Sequence, residues 1–123
     1  RRALAEWLAE PGAGPALEFE GMLKVAFAEH GRLEDLVRQL TRIARDAERM
    51  LATGDAVAGE YLAGRGAFPD RLHVSGLAWR FLHDHHTAVR DWATWALAEV
   101  ATWPDVDAPP GGPAAAFARY VER

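Results

Sequence analysis

The residues best placed to do chemistry are HDHH, positions 83 to 86. Imidazole nitrogens suit zinc or nickel. On a helix His83 and His86 share a face, and Asp84 does not join them. His73 lies ten residues upstream, about 15 Å away along the same helix. Two histidines make half a site, so we expect no bound metal and no cofactor. General acid–base work needs convergent carboxylates, or a histidine with an orienting acid. Glu18 and Glu20 are two apart and do not face each other on a helix. Phosphate-cradling glycine loops, nucleophile elbows and Ser/His/Asp patterns do not occur. The expectation is a protein that is not an enzyme.

Tryptophan is the remaining unusual signal, with three in WATWALAEVATW, residues 92 to 103. Aromatic side chains between helices can stack on planar ligands. Tyr61, Phe81, Trp92 and Trp95, with Trp79, are the candidates for binding a small aromatic effector. For each one, plain core or subunit packing is the preferred reading.

The chain has 123 residues, half of them apolar, with no cysteine and a net charge of −4. That length fits one domain with a sizeable core, and the composition argues against disorder. Without cysteine there is neither a disulfide nor a thiolate metal site. An acidic chain is a poor match for a free-standing nucleic-acid binder. No run of 18 apolar residues and no signal peptide are visible, so a cytoplasmic protein without a membrane span is expected.

The patterning predicts an all-α helical bundle. RRALAEWLAEP begins with a short helix carrying Leu4, Trp7 and Leu8 on one face. A second helix is expected from Pro15 to about His30. A third starts near Arg32, with Leu33, Leu36, Leu40, Ile43, Ala47 and Met50 as its seam, and runs to Thr53 or on to Leu62. Glu34–Arg38 and Arg42–Asp46 are spaced as charge pairs. GRGAFPD, residues 64 to 70, is a loop. One long helix follows from Asp70 to Trp103, about 50 Å, with Gly76 its weak point. Residues 1–104 thus read as a helical dimerisation domain, and 105–123 as a linker and short C-terminal helix or tail.

That long helix carries two apolar stripes. The first runs Leu72, Ser75, Trp79, Leu82, His86, Val89, Ala93, Ala96, Val100 and Trp103. The second runs Leu77, Phe81, His85, Ala88, Trp92 and Trp95. A helix longer than its own domain, with two stripes, has apolar surface left for another chain. We therefore expect an antiparallel or intertwined homodimer, with Trp79, Leu82, His86, Val89, Trp92, Trp95 and Val100 at the interface. Trp92 and Trp95 are assigned to the two-fold axis or to packing against helix 1–10. His86, held in an apolar seam, is expected to titrate below an ordinary histidine.

RRALAEWLAEP, PALEFEGMLKVAFAEHG, and FPDRLH before a long helix ending in WATWALAEVATW together resemble the C-terminal domain of PadR-family transcriptional regulators, over about residues 1 to 104. That resemblance implies a repressor in which these helices hold two subunits together. DNA would then be touched only through an N-terminal winged-helix domain that is absent from this chain. A small aromatic effector is also compatible with it. The alternative from another class is a stand-alone ligand-sensing bundle, like the effector domain of TetR-like regulators.

Overall fold

A computed structural model describes residues 1–122. They form five α-helices: α1 Arg2–Ala9, α2 Glu20–Ala26, α3 Leu33–Leu62, α4 Leu72–Val100 and α5 Pro113–Val121. No strand occurs among the described residues. Single 3₁₀ turns at Ala28–His30 and Pro69–Arg71 lead into α3 and α4.

The framework is an antiparallel pair of nearly equal helices, 30 residues in α3 and 29 in α4. Leu36 and Leu40 near the start of α3 pack with Ala96 and Val100 near the end of α4. Ile43 and Ala44 meet Ala93 one turn further on. Near the far end, the indole N–H of Trp79 donates to the carbonyl of Gly54 at 2.9 Å. Alanines at 44, 47, 93 and 96 are all buried. They let the two backbones approach closely at this end of the pair.

Local chemistry sets the ends of α3. The backbone N–H of Arg32 donates to the Asp35 carboxylate at 3.3 Å, a cap on the first turn. That hydrogen bond is the first cause holding the Asp35 carboxyl below its usual range. At the other end, the Tyr61 ring fills the space that a Cβ on Gly66 would need. Gly66 is therefore required for the turn into α4.

The structure corrects several expectations. α2 begins at Glu20 and not at Pro15; residues 11–19 are irregular. Pro11, Gly12, Gly14 and Pro15 disfavour helix together, and Gly14 is followed by proline. In agreement with the sequence, α3 runs on through Gly54 and Gly59 to Leu62, and α4 is one helix through Gly76, though bounded at Leu72 and Val100. α4 is also no longer than its own partner, because α3 accompanies it along its length. Along α3, Asp35–Arg38 and Asp46–Arg49 pair at i,i+3, in place of the Glu34–Arg38 and Arg42–Asp46 pairs expected.

Candidate subunit interface

α4 presents its two stripes to different surroundings. The first faces α3. On it Ala93, Ala96 and Val100 are buried, and Trp79, His86, Val89 and Trp103 are half-buried. Val100 is 5% exposed, inside the core with Leu36 and Leu40. Its expected place at a subunit contact is corrected: its own chain already covers it. Trp79, His86 and Val89 likewise spend much of their surface on α3. Leu82 remains exposed on this stripe.

The second stripe points away from α3 and keeps its apolar surface. Leu77 is 75% exposed, Phe81 66% and Trp95 47%. His85 stacks on Phe81 with ring centroids 6.4 Å apart, and Ala88 is exposed. Trp92 is half-buried and reaches both core clusters. Leu77 was legible on this stripe but did not enter the sequence-derived interface.

The cause lies in how the bundle is built. α2 packs on the first half of α3, so that end has three helices. Beyond Met50 only α3 and α4 remain, and two helices cannot enclose a core. Met50, Val57, Leu62, Leu72, Val74, Leu77, Phe81 and Leu82 are all exposed there. α1 also buries none of its residues, with Trp7 and Leu8 each 67% exposed. The expected packing of Trp92 and Trp95 against helix 1–10 is thus not what is seen.

Trp95 instead meets α5. Its ring lies edge-on to Tyr120, centroids 5.2 Å apart. The Tyr120 hydroxyl donates to Glu99 Oε1 at 2.8 Å, and Arg119 donates to the same oxygen at 3.0 Å. These bonds, Tyr120 first, hold the Glu99 carboxyl below the usual carboxylate range. Burial and then the Glu99 bond push the Tyr120 phenol up. The indole N–H of Trp103 is buried beside them, and it adds to the lowering of Glu99 without reaching hydrogen-bond geometry. Sequence reasoning gave α5 but not this anchor, because Glu99 and Tyr120 are 21 residues apart and carry no periodic signal.

The effector candidates do not converge. From the Trp79–Gly54 contact, Tyr61 lies about 10 Å one way and Trp92 about 20 Å the other, by helical rise. Tyr61 is packed on its own turn, and Phe81 faces outward. The groove beside Trp79 is lined by Met50, Leu51, Thr53, Gly54, Leu82, His83 and His86, and holds about 130 Å³. None of Tyr61, Phe81, Trp92 or Trp95 borders it.

His83 stacks on Trp79 at 4.8 Å. No group of three His, Asp or Glu side chains among the described residues converges on a metal position. His86 sits in the α3–α4 seam, bordered by Asp46, Ala47 and Met50 from α3 and by His85 on its own helix. Burial pushes its imidazole below the ordinary histidine value, and the neighbouring His85 adds to this.

Arg38, Arg42, Arg45 and Arg49 line one outer face of α3. Arg38 and Arg49 are paired with Asp35 and Asp46. No described helix is long and apolar enough to cross a membrane.

The model of one protein family, described as the virulence activator alpha C-terminal domain, matches residues 20–101. This corrects the PadR reading: the matching family is not a PadR-family domain, and the PadR-type repressor function goes with it. The TetR-like alternative is unsupported as well. No curated protein matches the chain. α1 and α5 lie outside the matched residues.

Proposed function

The chain belongs to the virulence activator alpha C-terminal family, and we propose that it is the domain through which a transcription activator joins two of its subunits. The observation that carries this reading is the outer stripe of α4. Three large apolar side chains, Leu77, Phe81 and Trp95, share this stripe with 75%, 66% and 47% of their surface open. Contiguous exposed apolar surface on a folded helix marks a contact with another chain. The partner is a second copy, since the thin, open end of the hairpin then gains the helices it lacks.

The role is structural and not catalytic, and it is carried out in the cytoplasm, where a regulator meets DNA. DNA contact belongs to another part of the regulator, because this domain carries a net charge of −4 and nucleic-acid binders present a basic face.

Sedimentation equilibrium of the chain at micromolar concentration is the test. We expect a dimer that Leu77→Ser converts towards monomer without loss of helix. A monomer at 100 μM for the unaltered chain overturns the proposal.

A further inference from the structure

We propose that α5 is part of that subunit contact: its Phe117–Val121 flank and Trp95 form a corner that receives the Leu77–Phe81 end of a second copy. The inference rests on the dimer reading and adds to it a specific seat.

Phe117 and Val121 are 67% and 62% exposed. They are four apart, hence on one flank of α5, turned away from Arg119. α5 is tied to α4 through Glu99, which Tyr120 and Arg119 share. Ala116 is buried, and Arg119 also donates to the Pro110 carbonyl of the preceding loop at 3.2 Å. The Glu99 bonds and the edge-on contact of Tyr120 with Trp95 hold this flank beside Trp95. Trp95 keeps 47% of its surface open although Tyr120 touches it. α5 therefore stands to one side of the outer stripe and not across it, leaving room for another helix.

Symmetry selects what fills that room. The stripe from Leu77 to Trp95 spans 18 positions, about 27 Å. A two-fold axis at its middle, between His85 and Ala88, sets Leu77 of one copy against Trp95 of the other, twice. The bare end of each α4 then lies along the walled end of its mate. Ala88 near the axis allows the backbones to approach.

At roughly 100–130 Å² of open surface for each large side chain, covering Leu77, Phe81 and Trp95 in full buries about 700 Å² of apolar surface over both copies. Adding Phe117 and Val121 brings this to about 1,100 Å². α5 thus supplies about a third of the large apolar surface available to such a contact, whose total area then exceeds the ~1,000 Å² of a stable interface.

Phe117→Ser/Val121→Ser is the decisive variant, since both side chains are exposed within one copy and the fold does not depend on them. Sedimentation equilibrium should show dimer dissociation weakened at least tenfold, with far-ultraviolet circular dichroism and the melting midpoint of the dilute monomer unchanged. The chain has no cysteine, so Leu77→Cys and Phe117→Cys proteins can be mixed and oxidised. A disulfide-linked heterodimer should form in preference to either homodimer. If Leu77→Ser weakens the dimer but the α5 double variant does not, and the mixed pair fails to cross-link, the seat on α5 is overturned while the dimer stands. If the unaltered chain is a monomer, both fall.

Discussion

Replacing Phe81 by alanine separates subunit association from folding. Phe81 is 66% exposed within one copy, so about 130 Å² of a ring that can bury some 200 Å² is open. Truncation to a methyl group removes roughly 100 Å² of it, about 2.5 kcal/mol per copy at 25 cal/mol/Å². A symmetric dimer contains the ring twice, which sets a ceiling near 5 kcal/mol. Affinity never follows area in full, so the expected loss is about 2–4 kcal/mol per dimer, a 30- to 1,000-fold weaker Kd. The fold should hardly notice. Within one copy the ring stacks only on His85, and alanine restores about 0.5 kcal/mol of helix propensity. The assay is sedimentation equilibrium for Kd, alongside thermal melts at a concentration below it. A Kd within threefold of the unaltered chain, at equal helix content, would refute the assignment of the outer stripe to the contact.

Four further outcomes follow from the same geometry. Leu40, 1% exposed and central to the α3–α4 core, should cost about 2–5 kcal/mol on truncation to alanine; urea denaturation of Leu40→Ala should show the loss in the dilute monomer, opposite to Phe81→Ala. Gly59 lies inside α3 with open space where a Cβ would be, so Gly59→Ala should stabilise by about 0.5–1 kcal/mol and raise the melting midpoint by about 2–6 °C. His86 is held below its ordinary value of 6.5 by burial, so the unfolded chain takes up the proton first. Stability should be whole above pH 6.5 and fall as pH drops through it towards the lower folded value; His86→Leu should flatten that loss, and parallel urea midpoints from pH 7 to 5 would show the ring to be solvated. Among the described residues Arg42 and Arg45 form no ion pair while their neighbours Arg38 and Arg49 do, so random duplex should bind no tighter than micromolar, with a log–log salt slope no steeper than about −2.

The parts of this structure visible in the sequence are those written in one helix's own period. The seam of α3, the two stripes of α4 and the glycine- and proline-marked loops are local patterns, and the helices formed where those patterns lie. Residues 15–19 differ from the sequence-based expectation because the apolar spacing from Leu17 to Phe27 continues back towards a segment whose prolines and glycines resist helix. Which stripe would be buried depends on a different length scale. Periodicity shows that Trp79 and Trp92 lie on different faces of α4, but not which face α3 will take. The answer came from size: Ala93 on the first stripe meets Ala44 on α3, and Ala96 leaves room for Leu36 and Leu40, so the two helices close. The second stripe offers Trp92 and Trp95 at the corresponding heights, too bulky for so close a seam. Read this way, the tryptophans of residues 92–103 have separate tasks. Trp92 bridges the two core clusters, Trp103 closes the end of the pair beside Glu99 and Tyr120, and Trp95 alone keeps half of its surface for something outside the chain. Substituting Trp95 should therefore affect both association and the seating of α5, whereas Leu77 and Phe81 should affect association alone. That difference between neighbours on one stripe is what an interface made of α4 and α5 together requires.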